Sequence, residues 1–400
     1  MSNSIKVLVG TRKGAWTLHG SADRKQWQID GPLHLGTVVF HYVADPRNPG
    51  LLLLSEGGGH LGPSVFRSTD NGNTWTEAEK PPQFPKAESP KINSPKIESP
   101  KSDDESARAV DHVFWLTPGH ASQPSVWYAG TSPQGLFKSV DGGVTWEEVE
   151  GLNNHPNFFD WRGNDKDGTP DGPKLHSVIV DHSDPQHLLV GMSGGGIFES
   201  LDEGATWHPY NKGVAVVDFF PPKEDGSEYE YGHDPHCMVM HPLDSNRLYH
   251  QNHCGIYRLD RDTLDPEKKD RWQRIGDNMP KDIGDIGFPI IVHPRDVDTA
   301  WVFPMDGSGL WPRTSPGGKP AVYKTSDGGE SWTRQDAGFP REQAWWTVKR
   351  QCMSVDGSDP LGLYLGTTNG QVWASFDEGE SWQGIAMDLP QIYSIEVAPA

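Results

Sequence analysis

Basic residues are scarce in this chain, cysteines nearly absent, and long apolar runs missing altogether. Lys and Arg number 35 against 55 Asp and Glu, a formal net charge of −20 at pH 7. A surface of that sign repels nucleic acid and anionic membranes and leaves room only for a local basic patch, so neither is expected as a partner. Three cysteines, Cys237, Cys254 and Cys352, are too few and too odd in number for a disulfide framework and imply reduced thiols. No segment approaches the roughly eighteen apolar residues of a membrane span, and the opening MSNSIKVLVGTRKG carries no apolar h-region. A soluble, unexported, cytoplasmic protein is the expectation. Walker loops, HExxH, G-x-S-x-G and CxxC are also missing, so no compact catalytic signature announces a reaction.

What is abundant is turn and aromatic chemistry: 45 Gly, 34 Pro and 16 Trp, a mixture that suits many short strands and argues against a helical protein. One eight-residue pattern recurs five times, as STDNGNTW from Ser68, SVDGGVTW from Ser139, SLDEGATW from Ser200, TSDGGESW from Thr325 and SFDEGESW from Ser375. In Ser/Thr-x-Asp-x-Gly-x-Ser/Thr-Trp the Asp can accept backbone N–H bonds, the Gly supplies a positive φ, and the Trp packs back on the layer below. A catalytic motif needs one copy. Five copies mark a repeat architecture in which each unit covers its neighbour's apolar face.

Around the second copy, DHVFWLTP, SVWYAGT, GLFKSVDGG and VTWEEVE read as four strands, A to D, with the repeated turn between C and D. The interval of 125 residues between Asp202 and Asp327 has room for a unit whose turn has decayed, found at 236–260. A last unit is split: SIKVLVGT, GAWTLHG and KQWQID begin the chain, and Tyr393 to Ala398 supply its strand A. The expected fold is all-β, a seven-bladed β-propeller over residues 1–400, closed by the C-terminal strand beside the N-terminal ones. SPKINSPKIESPKS has almost nothing apolar to bury, and 86–106 is expected to be a disordered insertion.

With its five turns the chain resembles the BNR/Asp-box repeat proteins. More narrowly, VLVGTRKGAW, GLFKSVDGG, YHQNHCGIYR, GFPIIVHPRD and GTTNGQVWASFDEGESW look like a bacterial group of seven-bladed glycosyl hydrolase or exo-α-sialidase-like proteins. The resemblance implies the propeller and a sialidase-like activity. Such an activity implies three arginines around a substrate carboxylate, a Tyr/Glu nucleophile pair and an Asp acid. Only Arg12 and Arg350 stand out as carboxylate binders in this sequence.

In a propeller, the D–A and B–C loops emerge on the face opposite the repeated turns, and function is sought there. Aligning the A strands on the turn after each puts Phe40, His112, His176, His236, Phe288, Gln351 and Tyr393 at one innermost position. The B–C turns add Glu56, His60, Asn252, His253 and Cys254, and GTRKG adds Arg12 and Lys13. Imidazoles converging from rigid strands suit a divalent transition metal, so His112, His176, His236 and His253 are the expected metal-binding or proton-transferring residues, with Zn, Mn or Fe as the ion. Arg12, Lys13, Arg350, Gln351 and Tyr393 are the expected substrate-binding set for a small anionic or carbohydrate-like molecule. The bland alternative makes these histidines water-bonded channel residues and the arginines solvated charges; His182, His241 and His293, at the A–B turns, are expected to be structural.

Three functions follow. One is a metal- or histidine-dependent hydrolase or lyase. The second is a glycosidase using a carboxylate pair drawn from Glu56, Asp111, Asp160 and Asp285, which would stand about 5–9.5 Å apart. The third is a non-catalytic scaffold that holds a protein partner. Limited trypsin digestion of the folded protein is expected to cut first within 86–106, and deletion of that stretch to leave Tm unchanged; protection of the stretch would show that it is docked.

Overall fold

A computed structural model describes residues 5–57, 62–85, 108–162, 172–216, 221 and 223–398. The Ser-Pro-Lys stretch at 86–106 and His60 lie outside the described residues. Seven four-stranded antiparallel sheets make up the fold, and their first strands contact one another in sequence order until the last returns to the first. This is the seven-bladed propeller expected from the repeats. Among the described residues, helix is confined to two α segments of four residues and two 3-10 segments of three. No helix among the described residues is long and apolar enough to cross a membrane.

Blade one is the split one. Its innermost strand A is Ile392–Ala398, followed outward by Ile5–Thr11, Gly14–Gly20 and Trp27–Leu33. Lys6 pairs with Ala398, Val7 with Val397 and Val9 with Ile395, so both ends of the chain share one sheet. Strand A of blades two to six is Val38–Ala44, His112–Pro118, Leu175–Val180, Pro235–His241 and Gly287–Val292; in blade seven it is shortened to Met353–Val355.

Each repeated turn is held identically. The Ser/Thr hydroxyl that opens it accepts the Gly N–H at 2.8–2.9 Å, and the Asp carboxylate accepts the backbone N–H four residues on at 2.8–2.9 Å. The Asp+2 glycines all have φ between 88° and 96°, a region closed to β-branched or bulky side chains. Hydrogen bonds from Thr74 and Ser68 hold the Asp70 carboxyl down at about 2. Every letter of the pattern thus has a structural task, and these turns lie at the end of the propeller away from the B–C loops.

Close approach between blades explains a Gly in the second half of several B strands. A Cβ on Gly130 would sit 2.3 Å from the Leu175 carbonyl of the next blade, and one on Gly366 would sit 2.7 Å from Ile392 and Ile395. On the face of the repeated turns, histidines bridge blades: His120 Nε2 lies 3.0 Å from the His182 carbonyl, His182 Nε2 3.2 Å from that of His241, and His241 Nε2 2.8 Å from that of His293. His182 and His241 therefore do structural work, as their turn positions suggested.

Closure through strand A of blade one predicts that its buried face carries stability out of proportion to its terminal position. Ile395 is fully buried, so Ile395→Ala is expected to cost about 2–5 kcal/mol in urea unfolding. Ile29→Ala, on the exposed outer strand of the same blade, is expected to stay within about 0.5 kcal/mol. Equal effects would contradict closure.

Candidate functional site

The geometry of strand A decides which side chains face the channel. At its end, a backbone N–H closes the A–B turn at an equivalent residue in most blades: Asp45, Gly119, Asp181, His293 and Asp356. Counting back five residues gives Phe40, Phe114, His176, Phe288 and Gln351. Phe40, Phe114 and His236 each fall at a break in pairing with strand B, and Tyr393 falls at the corresponding break in blade one. Such bulges re-aim one side chain out of the sheet.

Blade three corrects the alignment made from sequence. The equivalent residue there is Phe114, and His112 stands two positions earlier. Because residues i and i+2 share a strand face, the channel carries a second tier above the first. The upper tier comprises Val38, His112, Lys174, Asp234, Ile286, Lys349 and Gln391. Polar groups of this tier rest on aromatics of the lower one: His112 stacks on Phe40 at 3.9 Å, the Lys174 ammonium lies 5.2 Å from the Phe114 ring, and that of Lys349 lies 3.7 Å from Tyr393.

The four histidines separate into different surroundings. His176 is fully buried, with Nδ1 2.8 Å from Ser177 Oγ and Nε2 2.9 Å from the Pro235 carbonyl. Burial, with the charges of Arg350 and Lys174, holds its pKa well below the ordinary value. His112 has Nδ1 2.7 Å from Asp111. Only His236 and His253 come together, and they do so around a carboxylate that sequence reasoning passed over. Asp234, His236 and His253 each offer a ligand atom, all within 4.8 Å of one another, the one such group of three among the described residues.

In this group the His236 Nδ1–H donates to the Gly287 carbonyl at 2.5 Å, which turns Nε2 toward Asp234 Oδ2 at 3.4 Å. His253 Nδ1 lies 3.5 Å from the same oxygen, and Arg313 Nη2 is 3.4 Å from His253 Nε2. Arg350 lies over Phe288, 5.2 Å from its centroid, and its charge acts on Asp234, His236 and His176. Burial lowers the His236 pKa to about 4, more than the Asp234 carboxylate restores. Burial opposes ionisation of Asp234, but the neighbouring His236 and His253 rings and the Arg350 charge outweigh it and hold the carboxyl well below its usual range.

The donor set fits a divalent transition ion. Two imidazoles and a carboxylate suit Zn, Mn or Fe, and a carbonyl bonded to the far nitrogen of His236 fixes the tautomer a ligand needs.

The remaining candidates divide. Arg12 and Tyr393 line a pocket of about 450 Å³ with Phe40, Asp111 and His112, whereas Arg350 belongs with Asp234. Lys13 is exposed, with its backbone N–H bonded to Thr11 Oγ1. Gln351 reaches across the channel and donates to the carbonyls of Phe40 at 2.9 Å and Phe114 at 3.0 Å, so both its donors are engaged by backbone. Of the four carboxylates considered for a glycosidase pair, Glu56 bonds His34 at 2.6 Å, Asp111 bonds His112 at 2.7 Å and Asp285 bonds Arg274 at 2.9 Å; Asp160 is exposed on a short helix. A larger cavity, about 760 Å³, opens at the opposite mouth between His41, Trp115 and Glu396. It is walled mainly by aliphatic and proline side chains on the face of the structural turns, and its His41 and Glu396 engage each other at 3.1 Å.

Fold and channel together define a seven-bladed β-propeller with a charged, histidine-bearing mouth. By sequence, no protein-family model matches the chain and no curated protein matches it. By structure it is similar to the periplasmic gluconolactonase PpgL of Pseudomonas aeruginosa, with a TM-score of 0.53 and 10% identity over 99% of each chain. It is also similar to an ancestral GH74 enzyme, with a TM-score of 0.51 and 14% identity over 90% of this chain and 38% of that one. The GH74 enzyme of Niastella koreensis gives a TM-score of 0.47 and 15% identity over 97% of this chain and 65% of the other. This chain therefore spans less than two thirds of those GH74 enzymes. At such identities the likeness is one of fold.

Gln351→Leu is expected to leave two buried carbonyls unpaired, at about 1–3 kcal/mol each, and so to lower the urea unfolding free energy by about 2–6 kcal/mol. An unchanged midpoint would show that the bridge across the channel is dispensable.

Proposed function

We propose that the protein is a metal-dependent enzyme of the BNR/Asp-box propeller class that hydrolyses or eliminates a group from a small anionic or carbohydrate-like substrate at the upper mouth of the channel. Asp234, His236 and His253 are the residues that would hold the metal. Their convergence from strand A and the B–C turn of blade five is the observation that carries the reading. When bound, a divalent ion supplies Lewis-acid polarisation and a water of lowered pKa.

The chain's own groups account for the rest. Arg350 and Arg313 flank the carboxylate–imidazole group and offer guanidinium forks to an anionic substrate, orienting it against the site. Phe288, stacked on Trp311 at 5.5 Å, closes one side and limits water. His176, held by Ser177 and Pro235, supports the wall from blade four. A glycosidase pair is less well supported, because Glu56, Asp111 and Asp285 each have their own partner.

Untagged protein stripped with EDTA and titrated with Zn²⁺, Mn²⁺ or Fe²⁺ is expected to bind about one equivalent of at least one of them. The His253 side chain is 34% exposed on a turn, so His253→Ala is expected to fold normally and to lose metal affinity by about tenfold or more. Absence of binding by all three ions would overturn the proposal.

A further inference from the structure

Across the mouth from Asp234, blades one, two and three, with the segment leading into blade four, enclose the pocket of about 450 Å³ that contains Arg12. This size lies toward the lower end of the roughly 300–1,000 Å³ typical of small-ligand sites. Its walls are largely apolar, with Val38, Phe40, Pro133, Pro173 and Tyr393 among them. Arg12 is the guanidinium at its edge, carried on the exposed B–C turn of blade one. Opposite stands a fixed dyad: His112, 3% exposed, stacks on Phe40 and bonds Asp111 through Nδ1. Lys349 adds a second positive charge behind Tyr393.

We propose that this pocket is a separate binding site for a small organic acid with a compact apolar body, its carboxylate held by Arg12 and its body seated on Phe40 and Tyr393. The chemistry disfavours two simpler occupants. A bare inorganic anion gains most from many converging donors, whereas these walls are mainly carbon. A neutral polyol would leave its hydroxyls facing those same apolar walls, and unpaired polar groups are costly to bury. A carboxylate joined to an apolar body satisfies both halves, because guanidinium and carboxylate match in shape and charge. None of Asp234, His236 and His253 lines this pocket, so the inference stands independently of metal binding.

The test uses the full chain after EDTA treatment and three probes measured by calorimetry: benzoate, benzyl alcohol and inorganic phosphate. Benzoate is expected to bind more tightly than benzyl alcohol, which has the ring without the charge, and than phosphate, which has the charge without the ring. Arg12 is exposed, so Arg12→Ala should fold normally, and it is expected to weaken benzoate by about tenfold or more. His253→Ala is expected to leave benzoate binding unchanged. The proposal is overturned if benzoate does not bind, if either control binds equally well, or if Arg12→Ala leaves benzoate affinity as it was. Benzoate binding that depends on Arg12 would sustain it even if no metal ion bound the protein.

Discussion

Hydrogen bonds between neighbouring innermost strands hold the channel together, and every other feature of the molecule is arranged around them. The Leu116 N–H donates to His41 Nδ1 at 2.9 Å, linking blades three and two, and the Met238 N–H donates to Ser177 Oγ at 3.1 Å, linking five and four. Blade seven meets blade one through the Ile395 N–H and the Gln351 carbonyl at 2.8 Å. Two of the three cysteines join the same ring: Cys237 and Cys352 direct their thiols at the carbonyls of Ile290 and Ile392, each at 3.8 Å. Burial pushes these thiols up to about 11 and about 12, so they are small buried groups with a weak donor and not reactive centres. A ring of this kind works only when closed, which is why the chain's two ends pair in one sheet.

The same strands that close the ring also aim its functional groups. Breaks in pairing near the start of strand A turn one residue per blade inward, and two-residue alternation adds a polar tier above it. Cations gather there in a protein of net charge −20: Arg350 and Arg313 lie beside Asp234 and His253, Lys174 acts on His176, and Lys349 lies over Tyr393. A local cluster of cations on an acidic body would draw small anions to it, as the proposed site requires. His176 and His236 sit on strand A itself, while Lys174 and Asp234 immediately precede it and His253 occupies the adjoining B–C turn, so the group is anchored at the ends of paired strands.

Much of the fold was legible because its signals are local. Each repeated turn needs a hydroxyl, an aspartate and a glycine at set spacing, so five copies could be counted directly, and the split blade followed from the strands left unpaired at each end. The site was less legible, because it depends on register between blades. In blade three the A–B turn starts at Gly119 where other blades have Asp45, Asp181 or Asp356, and it runs one residue longer, to Val126. Without that marker His112 was placed two residues from its true level, which belongs to Phe114. Asp234 and Lys174 were overlooked for a related reason: they precede the paired strand, and only the i, i+2 relation to His236 and His176 reveals that they share its face. Gln351 had the right position, but its reach across the channel depends on carbonyls from two distant blades.

The central claim is that Asp234, His236 and His253 form one metal centre. Anomalous diffraction from crystals of untagged protein, recorded on both sides of the absorption edges of zinc, iron and manganese, tests it most directly. The account predicts a peak at about 2.0–2.2 Å from His236 Nε2, an Asp234 oxygen and a His253 nitrogen. A metal peak elsewhere, or none at any of the three edges with the three side chains bridged only by water, would contradict it.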